Sequence, residues 1–393
     1  MRTSFQAAVT ANVQVASDKL RNVALDRART FLMLMVLLHH SVIAYTYFGH
    51  TDAKSWIGFD MVVLATDSFF MATFFFLSGL FVWPSLAHNT LQVFLRDRLI
   101  RLGLPFVIGV LTIIPVAYFA IELRRRPDAS FLMFWWKTIT VGPWPSGPIW
   151  FIWVLLVFDV AACLAFHLSP KLLDPINRLA VRGYKRPTEF FILVLAVTAV
   201  AYIPMRIYFG AGRWFEIGPL SLQASRVLLY PTYFLIGAGV GAANLDRGLL
   251  SADGRLAKSG WGWIVAALAS YCLLWVLIYV KRETLGNPVW LPDWYEASYG
   301  LFFVTFSAAI LFAIFGYFLS FKRTGFSVLD WMQAHSYSMF LVHYPIVLWI
   351  QYWLFDFDVP AIAKALIAFV FTVLLSWGVA VALRTIPGAK RVL

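Results

Sequence analysis

The most chemically suggestive arrangement in this 393-residue chain is a histidine pair at the end of an apolar run that an arginine opens. The stretch begins Leu25-Asp26-Arg27-Ala28-Arg29, passes through Thr30 and a run from Phe31 to Leu38, and ends at His39-His40. On a helix, Arg29 and His40 are separated by three turns plus about 20°, so they share a face about 16 Å apart along the axis. His39 points about 80° away from Arg29. A direct hydrogen bond between Arg29 and His40 is out of reach, and the spacing suits a long ligand held at a charged end by Arg29 and at a reactive end by His40. Imidazole, with an ordinary pKa near 6.5, is suited to taking a proton from a hydroxyl as general base. An ionisable side chain at membrane depth costs free energy that a leucine would not, which marks it as a site candidate.

Other residues extend the pattern, each with a plainer reading beside it. Asp67 lies in an apolar run that ends Phe74-Phe75-Phe76-Leu77-Ser78-Gly79-Leu80. A carboxylate there needs a partner or a wet cavity, so it either orients a histidine or acts as a structural hydrogen-bond anchor. Arg98 and Arg101 are three apart and share a helix face. Their guanidinium groups suit phosphate recognition, or else they anchor a helix end on a positive-inside face. Ser336, Phe340 and His343 fall at i, i+4 and i+7, again on one face. His343 is then a second site histidine or a helix–helix hydrogen bond. Trp150, in Gly147-Pro148-Ile149-Trp150, reads as an interfacial anchor, with a supporting place at the site as the alternative. No C-x-x-C, H-E-x-x-H, Walker, G-x-S-x-G or dinucleotide glycine motif is present. Adjacent His39 and His40 do not comfortably face one ion. No metal and no resident cofactor is expected.

Membrane helices must position these residues. The chain is 61% hydrophobic and 13% charged, with a mean hydropathy of +0.75. No soluble core buries that much apolar surface, so the fold class is an all-α, polytopic transmembrane bundle. Seventeen Trp and sixteen Tyr suit the headgroup interface. Cys163 and Cys272 sit in apolar runs and read as small hydrophobes. The net charge of +12 would suggest nucleic acid in a soluble chain. Here basic loops facing anionic lipid account for it, and no nucleic-acid partner is expected. Ten spans are predicted, at 29–48, 59–82, 102–121, 148–168, 189–208, 226–243, 261–280, 297–319, 336–355 and 361–384. In the sixth, Gly237, Gly239 and Gly241 lower helix propensity but suit close helix packing. Residues 1–24 form a polar lead without a signal-peptide apolar region, 25–384 one transmembrane domain, and 385–393 a short tail. Alternate loops carry 21 of the 32 Lys and Arg on one side, which predicts both termini in the cytoplasm. Arg124-Arg125-Arg126 breaks that rule: either the count fails locally or the loop meets something anionic.

With these residues in place, the chain resembles the acyltransferase 3 superfamily of integral membrane enzymes. The resemblance rests on Leu25-Asp26-x-x-Arg29, on Arg29-x10-His40, and on the Phe-Phe-x-Leu-Ser-Gly ending of the second span. It extends to Arg98-x-x-Arg101 and Ser336-Tyr337-x-x-Phe340-x-x-His343, and covers about residues 23 to 384. The Gly147-Pro-Ile-Trp-Phe and Leu-Val-His-Tyr-Pro stretches look most like the glucan-succinylating branch. Ser338 stands where glycine is common, and Phe340 where tyrosine is common. The resemblance implies O-acyl transfer in a bacterial inner membrane, from cytoplasmic acyl-CoA as co-substrate to a hydroxyl of a carbohydrate or surface glycan. The acyl group would be acetyl or succinyl. On that reading His40 is the general base, and Asp67, counted with it among the catalytic residues, orients the acceptor or tunes His40. Arg29, Arg98 and Arg101 hold the donor. Asp26, Ser336, Tyr337, His343 and Trp150 bind the acceptor or support the site. The rival reading is a proton-coupled secondary transporter, which buried His, Asp and Arg would suit. Against it, the sequence has no inverted repeat and no pair of broken spans in matching halves.

Overall fold

The computed structural model describes residues 23–49, 51–141, 147–217, 220–243, 248–288, 290–321, 327–389 and 392. Residues 1–22 of the expected N-terminal lead lie outside the described residues, as do 390, 391 and 393 of the tail. Helix α1 spans Val23–Tyr45, its last turn tightening to 3-10 geometry at Ile43–Tyr45. Then come α2 (Ile57–Gly79), the short α3 (Val82–His88), the long α4 (Leu91–Arg125), α5 (Phe131–Thr140) and α6 (Trp150–Leu168). A short α7 (Asp174–Arg182) leads to α8 (Pro187–Phe209), an antiparallel hairpin of β1 (Trp214–Ile217) and β2 (Leu220–Gln223), and α9 (Leu229–Ala242). The chain ends with α10 (Arg255–Lys258), α11 (Gly260–Tyr279), α12 (Asp293–Ser320), α13 (Val328–Met332), α14 (Ser336–Leu354) and α15 (Ala361–Leu383).

The protein is a polytopic helical bundle, as composition predicts. Among the described residues, eight helices are long and apolar enough to cross a membrane. The other two expected spans are also helices, the 14-residue α9 and the 19-residue α14. Helix α12 runs through the centre, with 72% of its most apolar window buried, whereas α11 and α15 lie at the periphery with 22% each. The apolar sides of those outer helices face where lipid tails would be.

Two local features set the site. Gly237 and Gly241 on α9 meet the carbonyls of Phe76 on α2 and of Leu80 just after it, and a Cβ at either glycine would overlap those oxygens. Gly79 meets the Phe234 carbonyl in the same way. The glycines that weaken α9 as a helix therefore allow backbone-to-backbone contact, the small-residue packing typical of membrane helices. Helix α4 widens to i→i+5 turns at Leu99–Gly103 and Gly109–Ile113, just ahead of Pro105 and Pro115. Proline has no N–H and crowds the preceding turn, so a wider turn lets the helix continue.

The loops sort to two ends as the alternation predicts. At one end Arg27 Nε donates to Asp330 at 2.6 Å, and Trp83 Nε1 donates to the Pro170 carbonyl at 3.1 Å. At the other, Lys364 Nζ donates to Asp52 at 2.9 Å and Lys54 pairs with Asp358 at 2.7 Å. Arg124, which broke the charge rule, is engaged through both terminal nitrogens at this second end. It donates to the carbonyls of Thr51 (3.2 Å) and Gln351 (2.7 Å) and lies over the Phe355 ring. Arg126 pairs with Glu122. Two of the three arginines thus have local structural partners.

Candidate active site

Two cavities meet near the middle of the bundle. The larger, about 630 Å³, opens toward the β-hairpin and is lined by His39, His40, Asp67, Arg226, Tyr230 and Trp150, among others. The smaller, about 400 Å³, lies toward the Val23 end and is lined by Arg29, Arg98, Arg101, Asp159, Ser336 and Tyr337, among others. Met71 and Phe340 line both, so these two side chains form the partition.

His40 is half-buried and sits among aromatic rings, with centroids 5.2 Å from His39, 5.3 Å from His343 and 5.2 Å from Tyr344. Its backbone is held as firmly as its ring. Where α1 tightens into its 3-10 end, Gln351 Nε2 on α14 donates to the carbonyls of His40 (2.8 Å) and Ser41 (3.3 Å). One of the two flanking histidines, His343, has an assignable tautomer. His39 Nδ1 lies 2.8 Å from Thr66 Oγ1, a hydroxyl that also reaches the Val62 and Val63 carbonyls at 2.8 and 3.2 Å. His343, fully buried, donates from Nδ1 to the Phe340 carbonyl at 2.6 Å. Its Nε2 has no partner among the described residues. His40 therefore stands between two imidazoles, of which His343 keeps an Nε2 lone pair.

Asp67 has a partner that the sequence did not reveal. Arg226, just ahead of α9, donates Nη1 to Asp67 Oδ1 at 3.0 Å and to the Asp67 carbonyl at 3.1 Å, and pairs Nη2 with Oδ2. The same Nη1 reaches Tyr230 Oη at 3.1 Å, and the guanidinium lies over Phe303. Arg226 is 5% exposed. Asp67 thus engages an arginine, and among the described residues it has no hydrogen bond to a histidine. The pair forms one wall of the larger cavity, next to the stacked rings of Trp150 and Tyr230 (5.8 Å).

In the smaller cavity the arginines are only partly engaged. Arg29 makes one 3.2 Å contact, to Asp26, with both side chains about two-fifths exposed. Arg98 makes one 3.2 Å contact through Nε to Asp159, which is 1% exposed. Arg101 is exposed, and its carbonyl accepts a 2.7 Å hydrogen bond from Tyr337 Oη. Ser336 Oγ donates to the Gln333 carbonyl at 3.0 Å. The wide turn at Leu99–Gly103 changes the register between Arg98 and Arg101, yet both still line this cavity.

The expected site residues thus fall into two groups. Arg29, Arg98, Arg101, Ser336 and Tyr337 line one cavity, with Asp26 on Arg29. His40, Asp67 and Trp150 line the other, with His343 behind His40. Arg226, Asp159, Gln351 and the hairpin are additions. Asp159 carried the same signal as Asp67, a lone carboxylate inside an apolar run. The alternation Trp214-Phe-Glu-Ile and Leu220-Ser-Leu-Gln on either side of Gly218-Pro219 is a hairpin signal. Arg226 had no local signal, because its partner lies 159 positions away.

A family model described as an acyltransferase domain matches residues 22–381. No curated protein and no solved structure gave a match.

Proposed function

The chain belongs to the acyltransferase family whose domain model spans it, an enzyme of the membrane that transfers acyl groups other than aminoacyl groups, and on that premise we propose that it carries an acetyl or succinyl group from cytoplasmic acyl-CoA to a carbohydrate hydroxyl. The observation that carries this reading is the pair of cavities. One is lined by incompletely engaged arginines, the other by histidines, and among the described residues Met71 and Phe340 are common to both. Phosphates of the donor are held by Arg29, Arg98 and Arg101 through charge-assisted hydrogen bonds. A cavity of about 400 Å³ suits the narrow thioester arm, with the nucleotide end near exposed Arg101. The arm passes the partition at Met71, whose unbranched thioether repacks readily.

In the larger cavity an acceptor hydroxyl lies against His40. His40 takes its proton as the oxygen attacks the thioester carbonyl, the C–S bond breaks, and the thiolate leaves and is protonated. The ester product and free CoA account for all atoms. His343 is a positioning residue: its ring lies 5.3 Å from that of His40 between centroids, and its unpartnered Nε2 lone pair is available to receive an N–H of His40 when the acceptor binds, leaving the other His40 nitrogen as base. Asp67 acts through Arg226 rather than on His40, holding the cavity wall against which the acceptor rests. Trp150 and Tyr230 give that wall an apolar ring surface suited to the face of a sugar.

The direct test uses purified protein in nanodiscs with radiolabelled acetyl-CoA or succinyl-CoA and a panel of oligosaccharides. The expected result is label on the sugar with release of CoA, and the reading fails if thioester is never consumed. Mass spectrometry of surface glycans from a deletion strain then identifies the acyl increment and its carrier. The reading also places both termini in the cytoplasm, so reporters at residue 393 and near residue 130 should report opposite sides.

A further inference from the structure

The β-hairpin has two faces with different chemistry. Trp214 pairs across the strands with Gln223, and Glu216 with Ser221. Alternation along each strand puts these four on one side, and all four line the larger cavity. The other face is apolar. Phe215 packs against Phe209 at the end of α8, with ring centroids 5.1 Å apart, and Leu222 packs on the core. The hairpin is tied down where it leaves the sheet: Ala224 N donates to the Arg213 carbonyl at 2.8 Å, and Gln223 Nε2 donates to the Ala211 carbonyl. The inward face is thus fixed in place and offers one aromatic ring, one carboxylate, one hydroxyl and one amide oxygen. Trp214 is 49% exposed and Glu216 is exposed, which puts both at the rim rather than in the core.

Charge decides what this face can accept. The arginine of the cavity, Arg226, is taken up by Asp67 and Tyr230. Histidines apart, the charged side chains of the lining are Asp67, Arg226 and Glu216, and among the described residues Glu216 forms no ion pair while the other two pair with each other. Histidines apart, the lining therefore carries one uncompensated negative charge. A phosphorylated or uronate-bearing acceptor would meet a carboxylate with no free cation to receive it. A neutral polyol would instead donate hydroxyl protons to Glu216, Ser221 and Gln223 and lay its apolar face on Trp214. The two arrangements differ in sign, not in degree.

We infer that the 214–223 hairpin reads the acceptor and selects a neutral sugar unit, with Glu216 both accepting its hydroxyls and excluding anionic acceptors. This inference rests on the reading of the larger cavity as the acceptor side of a transferase.

The test compares kcat/KM for a neutral glucan oligosaccharide and for the same oligosaccharide bearing uronates, using full-length protein in nanodiscs. The wild type should favour the neutral acceptor by about tenfold or more, since like charges placed together at an interface are strongly disfavoured. Glu216→Gln should narrow the ratio. Glu216→Lys should raise use of the uronate acceptor by about tenfold, with KM for acyl-CoA within about twofold of wild type. Quenching of tryptophan fluorescence by the neutral oligosaccharide, diminished in Trp214→Phe, reports acceptor binding without turnover. An unchanged acceptor ratio in an active Glu216→Lys protein would overturn the hairpin's role and leave the transferase reading standing. A wild type that prefers the uronate acceptor would do the same. Absence of transfer to any sugar would overturn the inference together with the reading beneath it.

Discussion

The two cavities are built from similar residue types and differ in which of those residues are free. Both contain arginine, aspartate and aromatic rings. In the smaller, Arg29 and Arg98 each make a single 3.2 Å acidic contact and Arg101 is exposed, so positive charge is left over for an anion. In the larger, Arg226 is bound through both terminal nitrogens to Asp67, and the polar groups left over are histidines and hairpin side chains. Residue type alone would give the two chambers the same partners. On the proposed function, occupied hydrogen-bonding capacity is what would separate an anion-binding donor chamber from a polyol-binding acceptor chamber.

The largest effect should come from the histidine chamber. His40→Ala removes the base and should lower turnover on the order of 10²- to 10⁴-fold, with expression intact. His39→Ala loses the Thr66 hydrogen bond and should keep most activity. Transfer of radiolabel in membranes at matched protein levels checks both. If His39→Ala is the inactive protein, the base is His39, and one of its ring nitrogens rather than a His40 nitrogen takes the acceptor proton.

Removing one partner of the Asp67–Arg226 pair tests whether that wall is structural. Asp67→Ala leaves Arg226 buried and uncompensated, which should cost about 3–5 kcal/mol of stability. Thermal unfolding in detergent would register this, and CoA binding to the protein that remains folded should be unaffected. A loss of CoA binding would move Arg226 into the donor chamber.

In the arginine chamber, Arg98→Ala or Arg101→Ala should weaken donor affinity about ten- to a hundredfold, the worth of a charged hydrogen bond of about 1.5–3 kcal/mol. Asp159→Asn separates the two roles of Arg98. It frees the guanidinium, so donor affinity should rise, whereas an arginine needed only to neutralise Asp159 would leave donor affinity unchanged. Phe340→Ala opens the partition and should raise thioester hydrolysis without acceptor. The same low rate in variant and wild type would mean that the partition does not keep water from the donor.

The smallest effect lies outside both chambers. The Arg27 hydrogen bond holds the Asp330 carboxyl below its usual value. Its contribution to stability is therefore present above the unfolded value near 3.9 and lost as pH falls through the lower folded value. Asp330→Asn should lower thermal stability at neutral pH, the gap to wild type should close in strong acid, and turnover between pH 5 and 8 should not change.

Much of this was legible in the sequence where the signal was local. The spacing put Arg29 and His40 on one helix face, and they line two neighbouring cavities, Arg29 the smaller and His40 the larger, while the alternation of loops matches the contacts at the two ends of the bundle. Gly237 and Gly241 suggested close packing, which α2 supplies. What stayed hidden depends on residues distant in sequence. Asp67 read as an ionisable group in want of a partner, but nothing near it pointed to Arg226. Gln351 holds the His40 carbonyl from 311 positions away. The wide turns of α4 follow from Pro105 and Pro115, yet their effect on Arg98 and Arg101 depends on where α6 places Asp159. Met71 and Phe340 lie between the arginine and histidine chambers; Met71 reads in the sequence as an ordinary core residue, and Phe340 stood out by sharing a face with Ser336 and His343.

Equilibrium binding of CoA to wild type, Arg101→Ala and His40→Ala proteins in nanodiscs tests the division of labour most directly, because it requires neither the acyl group nor the acceptor to be known. Arg101→Ala should weaken CoA binding about ten- to a hundredfold, while His40→Ala should bind within about twofold of wild type. Equal losses in the two variants, or a loss confined to His40→Ala, would contradict the account.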